Sequence, residues 1–260
     1  MKKVILLFLV LALSGKWAFA QEENNIKNFR FGIKATGQLS WMKPEDKKKF
    51  SSGGVSAKGG YGLIMEFRLN KTASISTGFQ VDYFGGKLNF LDTSMYYLSK
   101  DSELESRDDT TSSTSVLYQL KNRTYNTTYV TLPFTLKLKT PEIGALTYFG
   151  MFGINTSVRM KSRTNDEVRS VATNGSGQQT DLLNTKDMNL MMFALNVGGG
   201  AEWNLAGSTS LVFGLNFYNG FSSVVKSESR YLFRTSANNY ESLKQSARNS
   251  AFALSVGVLF

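Results

Sequence analysis

The feature that most constrains this chain is a two-residue alternation of apolar and polar side chains that recurs eight times. From Phe29 to Trp41, apolar Phe29, Phe31, Ile33, Ala35, Leu39 and Trp41 interleave with Arg30, Gly32, Lys34, Thr36, Gln38 and Ser40. Successive strand side chains point to opposite faces, so this segment reads as a β-strand with one apolar face and one polar, partly charged face. Equivalent segments cover Gly59 to Leu69, Ser74 to Tyr83 (continuing toward Leu91 past Gly85-Gly86), Tyr129 to Lys139, Ala145 to Met160, Met188 to Leu205, Ser210 to Phe221 and Arg248 to Phe260. The last presents Phe252, Leu254, Val256, Val258 and Phe260 on its apolar face.

The connections alternate too. Long ones, at about 42–58, 92–126, 161–187 and 222–247, are separated by the tight links 70–73, 140–144 and 206–209. Short turns at one end and long loops at the other predict an all-β, eight-stranded antiparallel up-and-down transmembrane barrel of the outer-membrane type, with long loops external. An even strand count puts both termini on the periplasmic side. No apolar run approaches the roughly 20 residues of a spanning helix.

Period two alone leaves open which face looks inward; a secreted lipocalin-like barrel would hide the apolar one. The polar phase, however, mixes glycines with Arg30, Lys34, Glu66, Arg68, Asp82, Lys137 and Glu202, as expected of a charge-paired lumen rather than a solvated surface. Phe29, Trp41, Tyr83, Trp203 and Phe260 sit on the apolar phase near strand ends, where membrane-interface aromatics belong. Pro133 falls inside the fourth strand and has no N–H for a ladder, so a bulge or weakened pairing is expected there.

Composition enters by what it excludes. The chain has no Cys and no His, which removes disulfide frameworks, thiol chemistry, Ser-His-Asp catalysis and His-ligated metals. No catalytic, metal or cofactor site is expected. The net charge of +10 could suggest nucleic acid. Yet Lys2-Lys3, the apolar run Val4 to Leu13 and Ala18-Phe19-Ala20 form the three parts of an export signal. Cleavage after Ala20 removes three lysines and no acid, leaving +7, and an exported protein argues against a nucleic-acid partner. A short periplasmic segment, 21–28, would then lead into a single barrel domain, 29–260.

The remaining motifs are read modestly. Gly198-Gly199-Gly200 lies mid-strand without the Lys-Ser/Thr of a phosphate loop, and is expected to admit bulky neighbours in a tight lumen. With eight strands the interior is just wide enough for side chains to fill, which favours packing over conduction. Lys47-Lys48-Lys49 is either a solvated loop tip or a contact with lipopolysaccharide. The acidic run Asp101, Glu103, Glu105, Asp108 and Asp109, followed by Thr110 to Ser115, is the expected binding loop, and Asn174-Gly175-Ser176-Gly177 reads as mobile.

Several segments together resemble the PorT-like family of small bacterial outer-membrane barrels. They are FRFGIKATGQLSWM (29–42), YVTLPFTLKLK (129–139) with its Tyr-x-x-x-Pro-x-x-x-Lys spacing, FALNVGGGAEWNL (193–205) and FALSVGVLF (252–260). The resemblance implies that Pro133 stands where that family has its proline. It also implies a non-enzymatic accessory role, with some members serving type IX secretion or gliding. Outer-membrane lipid, lipopolysaccharide and an unidentified protein are the expected partners. A narrow channel or small-solute-binding barrel is the competing reading.

Overall fold

The computed structural model describes residues 28–98, 103–105, 116–236 and 239–260; the expected signal segment, 1–20, lies outside them. Twelve strands are present among these residues: β1 (Phe29–Pro44), β2 (Phe50–Arg68), β3 (Ala73–Leu98), β4 (Leu104–Glu105), β5 (Val116–Lys139), β6 (Leu146–Ser170), β7 (Ser176–Leu183), β8 (Met191–Ala206), β9 (Thr209–Gly220), β10 (Glu228–Ser236), β11 (Asn239–Lys244) and β12 (Ala247–Leu259). Eight of them close a ring in the order β1-β2-β3-β5-β6-β8-β9-β12, every neighbour antiparallel and β12 paired back to β1. Closure leaves the ring no free edge.

The apolar faces look outward. Ile33, Leu63, Phe79, Phe134, Phe152, Leu215, Leu254 and their neighbours are exposed, whereas Arg30, Gln38, Glu66, Thr131, Lys137, Asn196 and Glu202 on the opposite phase are buried. This arrangement is the inverse of a lipocalin, and only a hydrocarbon surround stabilises it. From Phe29 to Trp41 on β1, steps of about 3.3 Å tilted by about 40° give a belt about 30 Å tall. That matches a bilayer's hydrocarbon core.

Tight turns gather at one end, with the first and last described residues beside them. Asn70 Oδ1 accepts the N–H groups of Thr72 (2.8 Å) and Ala73 (2.6 Å), and Gly144 and Gly207 supply positive φ at the other two turns. The opposite end departs from the sequence reading. Most of the described part of the segments expected as long loops is strand. β2 begins at Phe50, β3 reaches Leu98, β5 starts at Val116 and β6 runs to Ser170, while β7, β10 and β11 add to the wall. Above the belt both faces of a strand meet polar surroundings or a mixed core, so apolar alternation fades while the hydrogen-bond ladder continues. The β1–β2 connection shrinks to 45–49, with Asp46 Oδ1 accepting the Lys48 N–H. Asn174 takes a positive φ in the β6–β7 turn, its N–H bonded to the Ser170 carbonyl at 2.9 Å, and Ser176-Gly177 opens β7 instead of a loop.

Pro133 produces a gap in the ladder but no slip. On the β3 side the pairs Thr77↔Phe134 and Gln80↔Thr131 share one register, and the two positions between them are unpaired. On the β6 side Pro133 remains opposite Asn155.

Candidate functional site

The interior is the place where this fold brings chemistry-bearing side chains together, and it is filled at three heights. Nearest the turn end, Arg30 of β1 reaches across the lumen, donating to Glu66 of β2 (3.1 Å) and to Glu202 of β8 (2.8 Å). Lys137 of β5 bonds Glu66 at 3.2 Å and also contacts Glu202, and its ammonium stands 4.1 Å from the Phe149 ring centroid. Lys139 pairs with the same two carboxylates, at 2.9 Å from Glu202, and Ser74 Oγ donates to Glu66 at 2.8 Å. Three cations thus share two buried carboxylates, so neither carboxylate is left as an uncompensated charge. Arg68 lies at the rim, lining with Arg30, Lys139 and Glu202 an open vestibule of about 650 Å³.

One layer higher, Lys34 faces Asp82, which takes a hydrogen bond from Thr131; the Thr131 and Ser157 hydroxyls are 2.9 Å apart. Asn216 donates to Asn196 (3.2 Å) and Asn196 to Asn155 (3.1 Å), an amide ladder across β9, β8 and β6. The space left between these layers is a cavity of about 50 Å³, room for one or two waters. Gly200 sits where Phe149 enters the lumen. A Cβ there would lie 2.8 Å from Phe149 Cζ and 1.9 Å from the Phe213 carbonyl oxygen.

Toward the loop end the lumen turns apolar. Phe84 of β3 meets Tyr218 of β9, directly across the ring, with ring centroids 6.2 Å apart, and Tyr129 at 6.0 Å. Above them Met42, Phe50, Leu88, Leu120, Met192, Leu232 and Leu243 complete a buried cluster. Within it Arg123 and Asp166, both fully buried, form a two-pronged pair: Nε to Oδ1 at 2.8 Å and Nη2 to Oδ2 at 2.6 Å. The Arg123 guanidinium lies 5.6 Å from the Tyr96 ring centroid. Asp187, in a single 3-10 turn, accepts the Arg230 N–H at 2.6 Å and the Ser229 hydroxyl.

Of the polar residues singled out from the sequence, Arg30, Glu66, Lys137 and Glu202 meet in one cluster; Lys34 and Asp82 form a separate layer, and Arg68 stays at the mouth. Lys139 joins the cluster although only its strand phase pointed to it. Arg123 and Asp166 carried no signal, because they fall where loops were expected. Phe29, Tyr83, Trp203 and Phe260 face outward, and Trp41 is half-buried against Phe252, ring centroids 5.6 Å apart. Lys47 and Lys48 are exposed, and Lys49 pairs with Asp46 at 3.4 Å. Asp101, Asp108, Asp109 and Thr110 to Ser115 lie outside the described residues.

A closed antiparallel ring of eight strands, apolar outside and polar within, defines a β-barrel of the bacterial outer membrane. The chain belongs to the outer membrane protein beta-barrel domain family, whose sequence pattern matches residues 19–226. Among solved structures it is similar to Neisserial surface protein A (9% identity, 90% of this chain and 96% of that one, TM-score 0.41). It is also similar to OprG from Pseudomonas aeruginosa (11%, 89% and 95%, 0.46). A third likeness is to the outer membrane protease OmpT from Escherichia coli (8%, 93% and 99%, 0.34). No curated protein matches the sequence.

Proposed function

We propose that this barrel is a sealed, non-enzymatic scaffold that works through its loop end, as an accessory or interaction subunit. The observation that carries the reading is the contact of Phe84 with Tyr218 across the full width of the ring, above a lumen already filled by ion pairs. A wall blocked in this way transmits no solute, and it holds rigidly whatever projects above it. Binding residues concentrate on segments held by such a scaffold. The termini and tight turns then face the periplasm, and the strand extensions with the acidic segment around Glu103 face outward. A secretion or gliding assembly of the type IX kind is the setting, supported by the four strand motifs that resemble the PorT-like family.

Replacing Lys100 to Ser115 by a short Gly-Ser linker tests this. The trimmed protein should keep heat-modifiable migration yet lose the partner that co-purifies with the wild type from mildly solubilised outer membrane. Unchanged partner recovery, together with its loss on substituting outward Phe193, would place the interaction inside the membrane instead.

A further inference from the structure

The outer wall carries two adjoining depressions of opposite character, the lower one running around the barrel from β12 through β1, β2 and β3 to β5. The lower, of about 650 Å³, is apolar and lies within the belt, with Tyr61, Val81 and Val130 on its wall. The upper, of about 740 Å³, is lined by the next outward positions on the same strands, Gly59, Tyr83 and Thr128, and by Lys58, Lys161 and Arg163. Registers put these at one height: Tyr83↔Thr128 between β3 and β5, then Thr128↔Lys161 and Asn126↔Arg163 between β5 and β6. That height is the edge of the belt, where Val130 and Met160 give way to Thr128 and Lys161.

The cations are set for an anion. Lys58 contacts Asn126, and Arg163 donates to the Asp181 carbonyl at 2.9 Å and to its carboxylate. Arg163 Nε is buried with no hydrogen-bond partner among the described residues, and Lys161 is exposed. Three cations face one carboxylate at a lipid headgroup level, above an apolar groove that solvent cannot occupy in a membrane.

We propose that this is a binding site for one phosphorylated glycolipid of the lipid A type, an acyl chain in the groove and a phosphate between Lys161 and Arg163. It rests on the outward orientation of the loop end, since that lipid occupies the outer leaflet. Arginine and lysine hold phosphate by charge-assisted bonds, and apolar burial of the chain adds affinity in proportion to area.

Native mass spectrometry of the full refolded chain in detergent, titrated with bisphosphorylated lipid A, tests the site. Wild type should retain one lipid. Lys161→Gln with Arg163→Gln should weaken retention at least tenfold, as should Val130→Trp, which fills the groove; Lys47→Gln with Lys48→Gln should not. Heat-modifiable migration of each variant separates loss of binding from loss of the barrel. Unchanged retention in the first two variants overturns the site, and displacement by inorganic phosphate alone makes it a free-anion site. Stronger retention of phosphatidylglycerol than of lipid A overturns the outer-leaflet assignment while leaving the barrel intact.

Discussion

Replacing Arg123 with Leu should open the wall above the belt. The Asp166 carboxylate would lose bonds of 2.8 and 2.6 Å while remaining fully buried. Hydrogen bonds to charged groups contribute about 1.5–3 kcal/mol each, and breaking a buried ion pair from one side costs about 3–5 kcal/mol. The region affected is the β5–β6 extension, where Arg123↔Asp166 are also register partners. Hydrogen exchange of amides 117–128 and 162–169 reads this local opening directly. Their protection should fall by about two to four orders of magnitude. Arg123→Leu with Asp166→Leu should recover to within about tenfold of wild type, because an apolar pair of similar volume leaves no stranded charge. If the double variant exchanges as fast as the single one, the cost lies in lost packing around Tyr96 and not in the stranded charge of Asp166.

The other expectations concern which way each face points. Gly200→Val should destabilise the barrel by about 1–3 kcal/mol in urea titrations monitored by tryptophan fluorescence, since its side chain would meet the Phe213 carbonyl and Phe149. Leu254→Arg, opposite Gly37 near the middle of the belt, should cost about 2–4 kcal/mol in lipid vesicles, whereas a lumen-facing Leu254 would show a far smaller, lipid-independent effect. Boiling should shift the migration of the purified protein in detergent gels, because a closed ring offers no edge from which to unfold; identical mobility with and without boiling would argue for an open sheet.

How much of this was legible depends on what each stretch of strand touches. Within the belt, lipid demands an uninterrupted apolar outward phase, so Phe29 to Trp41 or Phe252 to Phe260 declare both their secondary structure and their orientation. Above it the demand lapses. Asn122, Thr124, Asn126 and Thr128 take the outward phase while Arg123, Tyr125, Thr127 and Tyr129 face inward, and both phases mix polar groups, so neither contrasts with the other. Only the density of Thr and Tyr hints at a strand. The lumen was legible as a set of residues and not as contacts. Arg30 and Glu202 belong to strands that do not adjoin, and which of them meet depends on the stagger of the closed ring. Lys139 shows the same limit, sharing its phase with Lys137 while its partners come from β2 and β8. Pro133 was an anomaly in the sequence, and the structure absorbs it as a two-residue gap beside Gly78 and Phe79.

The central claim is that the lumen is sealed, and planar-bilayer recording of the purified protein tests it most directly. We expect no unitary conductance for the wild type, and none on Glu66→Gln if the Phe84–Tyr218 contact alone suffices to close the ring. Stable unitary steps in the wild type, altered in size by Glu66→Gln, would mean that ions pass the charged layer and that the protein is a channel.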